Sequence, residues 1–206
     1  MGVPYAEYLK FDFDLRQYIP LRKGQLAGRA FFGIGLPQRG SETLPYIKQY
    51  FIGGASSVRA FRIRTLGPGG FESKIEDDGS NFVDQTGDLK LELNLEYRFP
   101  MVSILKGAVF VDGGNVWLLK GDADESTIEP DGRFGFDTFY SEIALGTGFG
   151  FRLDFDVVIV RLDSAFPIRK PSEVSGSRWQ FDKLKFGDRG WRRQNIVWNI
   201  AIGYPF

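Results

Sequence analysis

The side chains from which most hydrolytic and redox sites are built are absent from this chain. Cysteine and histidine both number zero in its 206 residues. That leaves no disulfide framework, no thiolate or imidazole metal site, and no Ser-His or Cys-His nucleophile pair. What remains is carboxylate and guanidinium chemistry, with 26 acids balanced by 26 lysines and arginines. A carboxylate-based hydrolase is the enzymatic alternative, and it lacks a base to activate a nucleophile. The chain is therefore expected not to be an enzyme, and to use no cofactor and no metal. Two carboxylates occupy informative positions. Glu96 lies on a polar face with Lys90, Glu92 and Arg98. Asp112 interrupts the apolar run 108–111, a costly place for charge unless it is paired. Without partners they are ordinary solvated charges of a wet interior.

Other polar motifs carry less. Glu76-Asp77-Asp78-Gly79 and Asp122-Ala123-Asp124-Glu125 lack the full ligand spacing of a calcium loop and read as solvated loops. Gly146-Thr147-Gly148-Phe149-Gly150 has the wrong spacing for a dinucleotide loop, and no helix follows it.

The elements that position these charges are strands. In 88–99 every odd position is large and apolar and every even position is charged or an amide, the pattern of a strand with one face for oil and one for water. It returns in 141–155 and at the C-terminus, where Trp198, Ile200, Ile202, Tyr204 and Phe206 are expected on one face. Strands are expected at 5–19, 25–36, 88–99, 105–117, 140–154, 157–166 and 195–206. At ~10–15 residues they exceed the 5–6 typical of soluble sheets and suit a tilted bilayer crossing. Connections alternate between tight (21–24, 100–103, 155–156) and long (37–87, 118–139, 169–194), as in outer-membrane barrels with short periplasmic turns and long external loops. Aromatic residues gather near strand ends (Tyr18, Tyr97, Phe99, Trp117, Tyr140, Trp198, Phe206), as interfacial girdles would. The alternative is a soluble lipocalin-like barrel or sandwich with the leucines inside, which would leave a glycine face on the surface to no advantage.

The chain thus reads as one all-β module over 1–206, a transmembrane antiparallel up-and-down β-barrel of about seven or eight strands. Seven strands in strict up-and-down order would close in parallel, so either an eighth hides within 40–66 or the chain is part of a larger barrel. A net charge of zero gives no reason to expect nucleic acid. No apolar run is long enough for a membrane-spanning helix. The first residues, Met1-Gly2-Val3-Pro4-Tyr5, have neither the basic stretch nor the apolar core of a signal peptide, so a membrane barrel expects a signal upstream. The loop 37–87 far exceeds the ~12–15 residues at which a structureless loop becomes functional. Its glycines and aromatics suit packing into the lumen.

Several segments occur in the order found in the C-terminal barrel of the BamA/TamA outer-membrane assembly-factor superfamily, which this chain resembles: FIGGASSVRAF, LELNLEYRFP followed by GAVFVDGGNVW, ALGTGFGF with VRLDSAFPI, and the terminal IAIGYPF. Val58-Arg59-Ala60-Phe61 resembles the family's loop-tip motif, with Ala60 in place of the usual glycine. Phe110, Asp112 and Gly114 match its strand motif, and Glu96 its acidic residue on the preceding strand. The resemblance implies that the loop folds back into the barrel and that Glu96 and Asp112 anchor Arg59. It implies that Trp198, Ile200, Ile202, Tyr204 and Phe206 form a C-terminal assembly signal. The implied role is insertion or translocation of nascent outer-membrane proteins in a Gram-negative outer membrane. The implied partners are the bilayer, those nascent proteins, and periplasmic or lipoprotein accessory subunits. Relatives also carry POTRA domains and a longer barrel. The alternative is a small structural or passive-pore barrel that keeps the motifs as scaffold.

Overall fold

A computed structural model describes residues 7–38, 44–71, 85–120, 132–172 and 177–206. The architecture is one seven-stranded antiparallel sheet in sequence order, β1 (Glu7–Leu21), β2 (Gly24–Gln38), β3 (Leu89–Val102), β4 (Leu105–Trp117), β5 (Ala144–Asp154), β6 (Ile159–Arg169) and β7 (Val197–Ile202). A short helix, α1 (Arg189–Asn195), precedes β7. Its N-cap Asp188 accepts from Trp191 N at 2.6 Å. Each strand pairs with its neighbours in sequence, so the meander is up-and-down. No strand occupies the described part of 40–66, and the sheet is not closed: β1 and β7 are its two edges. Of the two alternatives for the strand count, a strand hidden within 40–66 is not found among the described residues, and the open sheet agrees with a part of a larger barrel. The connections β2–β3, β4–β5 and β6–β7, which carry 46–71, 132–143 and 177–196, all leave the sheet at one end, opposite the tight turns.

The alternation decides which solvent each face meets. Leu93 is 65% exposed, and Val109, Val111, Phe149 and Leu162 are exposed on the same face. Glu92, Glu96, Asp112, Arg152, Arg161 and Asp163 are buried on the other. Oil points out and charge points in, the reverse of a soluble barrel, whose apolar faces would be inside. An apolar outer face of this extent is stable against lipid.

The inner face is covered by the long loop. Its Tyr50, Ile52, Val58 and Leu66 pack with Val116 of β4 and Ala144 of β5, and Ala60 packs with Phe110 and Ala165. A main-chain bond ties the loop to the sheet as well, Gly69 N donating to Val116 O of β4 at 2.8 Å, while Tyr50 and Gly87 exchange N–H and C=O at 2.8 and 2.9 Å to pin the loop's own two arms together. What a small soluble domain does with a second sheet or a helix layer, this chain does with its own loop.

Two girdle positions are elsewhere. Trp117 is buried, its indole N–H donating to Glu142 Oε2 at 2.5 Å and its ring edge-on to Phe134. The β7 alternation holds for Trp198, Ile200 and Ile202, which face outward, and then stops. Gly203 takes a φ of 86°, accessible to glycine at little cost, and turns the chain. Phe206 ends 7% exposed instead of on the lipid face. The five terminal apolar residues thus do not share one face.

Candidate functional site: an ion-pair cluster under the loop tip

Arg59 is drawn through the sheet's inner space to strands β3 and β4. Its Nε and Nη2 donate to the two oxygens of Asp112 at 2.7 and 2.9 Å, a fork-to-fork pair, and its main-chain N–H reaches Asp112 Oδ2 at 3.2 Å. Nη1 donates to Glu96 Oε2. The guanidinium lies 3.4 Å from the centre of the Phe110 ring, a cation–π contact in a dry site. Glu96, Asp112 and Arg59 are all fully buried. Burial alone would pull the Arg59 charge down, but the Asp112 and Glu96 carboxylates outweigh it, and the guanidinium is held more firmly protonated than usual.

Alternation explains why these acids converge. Glu96 and Asp112 are inward positions of adjacent strands, and Asn94, directly paired with Asp112, completes the cradle: its Nδ2 donates to Asp112 Oδ1 and to Ser57 O, each at 3.1 Å. Val58 and Ala60 are buried on either side of Arg59, and Phe61 packs against the same clusters. The alanine at position 60 is accommodated opposite a glycine. A Cβ built at Gly146 would collide with the Ala60 Cβ, so the missing side chain of β5 makes room for the extra methyl of the loop. Gly114, paired with Glu92, lies where a Cβ would come 2.8 Å from Ile52 Cδ1, so it too lets the loop sit close.

The cluster extends past the residues the sequence singles out. Arg152 of β5 donates to Glu96 Oε2 at 3.0 Å and to Asp163 of β6. Arg161 donates to Asp163 Oδ2 at 2.9 Å and to Ser56 Oγ at 3.0 Å, and Arg98 donates to Glu96 Oε1 at 2.7 Å. Asp163 Oδ2 stands 3.7 Å from Arg59 Nη1. A satellite set on the β2 side joins Glu92 to Ser57 Oγ at 2.6 Å, Arg29 at 3.0 Å and Lys90 at 2.7 Å. Arg161 and Asp163 lie in the segment VRLDSAFPI without a role assigned to either, yet strand parity marks them: with Leu162 facing lipid, 161 and 163 must face in.

The C-terminal residues are divided. Trp198, Ile200 and Ile202 lie on the lipid face, whereas Arg98 lies over the rings of Tyr204, at 4.1 Å, and Phe206, at 5.6 Å, on the inner side. Both acidic runs considered for calcium lie outside the described residues.

The cluster can hold a loop and store charge. Each of its carboxylates is tied to guanidiniums, so none is poised as a base.

The Omp85 superfamily domain matches residues 4–183. The outer membrane protein assembly factor BamA of Neisseria meningitidis serogroup B is 26% identical over 155 residues, 68% of this chain and 19% of that protein. Among solved structures, BamA from Haemophilus ducreyi lacking POTRA domains 1–3 covers 96% of this chain with a TM-score of 0.64 and 20% identity, and CdiB from Acinetobacter baumannii covers 98% with a TM-score of 0.51 and 17% identity. These two likenesses bear on the fold. The chain spans 35% and 28% of those solved chains, and so corresponds to part of each relative. With charge turned inward, lipid-facing strands and a family match over most of its length, the chain belongs to the Omp85 superfamily and is a β-barrel module of the Gram-negative outer membrane.

Proposed function

We propose that this module serves an outer-membrane assembly factor that inserts nascent β-barrel proteins into the membrane or passes proteins across it. The observation that carries the reading is the loop tip, with Arg59 locked between Asp112 and Glu96 on the inner face. A passive pore needs an open lumen, and here the loop and its ion pairs fill the space over β2 to β6. Templating calls for a strand edge with main-chain groups to offer an incoming strand, and β7, held to β6 by six register pairs, is a short strand suited to that exchange. The work is done by strand templating in the bilayer, without covalent chemistry, cofactor or metal. Its partners are the lipids, the nascent outer-membrane proteins, and accessory subunits in the periplasm or anchored as lipoproteins.

The test is reconstitution of the complete protein in liposomes, with an unfolded barrel protein supplied and its protease-resistant folded form measured over time. Folding faster than in empty liposomes, slowed strongly by Arg59→Ala, is the expected result. Solute flux without acceleration of folding would favour the passive barrel and overturn the assembly reading.

A further inference from the structure

We infer that Asn199 is a positioning residue that ties the terminal strand β7 to the docked loop tip, so that release of Arg59 and loosening of β7 are a single event. β7 has six residues and, among the described residues, pairs with β6. Its outward side chains Trp198, Ile200 and Ile202 meet lipid. Its inward positions are Val197, Asn199 and Ala201, of which only Asn199 can donate a side-chain hydrogen bond. That amide donates through Nδ2 to the main-chain carbonyl of Arg59 at 3.0 Å, joining residues 140 apart in sequence.

The receiving carbonyl makes the contact consequential. Arg59 is fully buried, so a carbonyl that loses its donor has no water to turn to. The same residue is gripped on its other side by β3 and β4 through its guanidinium. Asn199 also pairs in register with Asp163, whose carboxylate faces Arg59 Nη1 and accepts from Arg152 and Arg161. One loop residue thus bridges the strands in the middle of the sheet to the strand at its edge. Beyond β7, Gly203 N donates to Ile159 O at 2.8 Å and the tail packs on Arg98. Those contacts hold the strand's end, whereas Asn199 holds its middle.

The use of such a coupling, in opening the edge to a client strand, rests on the assembly reading, but the coupling itself is measured without a client. Hydrogen exchange is followed by mass spectrometry on the protein folded in detergent micelles. Asn199→Leu, of similar size but without a donor, should raise exchange of the 197–202 amides roughly tenfold, the scale of one net hydrogen bond, and leave 89–117 unchanged. Asp112→Asn, which weakens the grip on Arg59, should speed exchange in both the loop tip and β7. The double variant should exchange in β7 no faster than Asp112→Asn alone. Asn199→Gln, which retains the amide on a longer arm, should recover much of the protection. If Asn199→Leu disturbs folding, Asn199→Ser, too short to reach the carbonyl, carries the same expectation. Unchanged β7 exchange when the loop tip is released, or effects that add in the double variant, would overturn the coupling. Failure of client folding in liposomes would leave it standing.

Discussion

Arg59 brings a full charge into a place without water, and what makes this tolerable is the number of its partners. A buried pair contributes little beyond an apolar substitute of the same shape, but breaking one partner away leaves a stranded charge that costs several kcal/mol. Arg59→Ala leaves the Asp112 carboxylate without a cation, and Asp112→Ala takes the fork from Arg59 and leaves it to Glu96 and Asp163, so the two losses overlap. A double-mutant cycle read by urea unfolding in micelles should show a coupling of ~1–3 kcal/mol, where losses adding to within ~0.5 kcal/mol would mean independent sites. Arg59→Lys keeps the charge and loses the fork that engages both Asp112 oxygens, and should recover only part of the stability. The Ala60–Gly146 contact gives a second, sharper test. Gly146→Ala forces two methyl groups together and should destabilise by ~1–3 kcal/mol, as overpacking does. Adding Ala60→Gly should return most of that loss, since it removes one of the two methyls.

Strands were the most legible elements, because alternation is a property of consecutive residues and needs no knowledge of the partner. Parity over Glu92 to Glu96 separates lipid from lumen, Leu93 and Leu95 being exposed and Glu92, Asn94 and Glu96 buried, so Leu93→Arg near the bilayer midplane should cost ~2–4 kcal/mol in a refolding titration, while Leu93→Phe should be nearly neutral. The inner face is less permissive than a water-filled lumen suggests. Asn94 is buried and donates to both Asp112 and the loop, and replacing it with Arg is not mild. The destination of the long loop was legible from its glycines and aromatics, and the Arg59 partners through family likeness. The pairing of Arg152, Arg161 and Asp163 depends on strand register across β5 and β6, which no local pattern encodes. Their place near strand ends points Trp117 and Phe206 to the membrane interface. Trp117 keeps the parity of Val109 and Val111 but is covered by Phe134 and Glu142, and Phe206 is carried to the inner side beyond the turn at Gly203. The tail's anchor is testable: Arg98→Gln removes the cation from between Tyr204 and Phe206, and carboxypeptidase should then trim the terminus faster than in the parent protein.

At the scale of the molecule, stability is divided between an outer face that depends on lipid or detergent and an inner face knit by ions. Exposed pairs such as Asp14–Arg16 are screened by salt, whereas the Arg59 cluster is fully buried and beyond the reach of mobile ions. Raising salt from about 0.05 to about 1 M should therefore move the unfolding midpoint in a nonionic detergent little, despite the many charged residues. A large fall would place the cluster in contact with bulk water. The contact between Asn199 and Arg59 also has a meaning in time. The loop tip is made early in the chain, yet its cradle draws on β3, β4, β5, β6 and finally β7, so the loop cannot finish docking until the last strand has arrived. Closing such distant contacts is slow, because chain entropy must be given up before the contacts form. Seating of the loop thus marks the completion of this sheet, and a chain cut short before β7 would leave the carbonyl of its own Arg59 waiting for a partner.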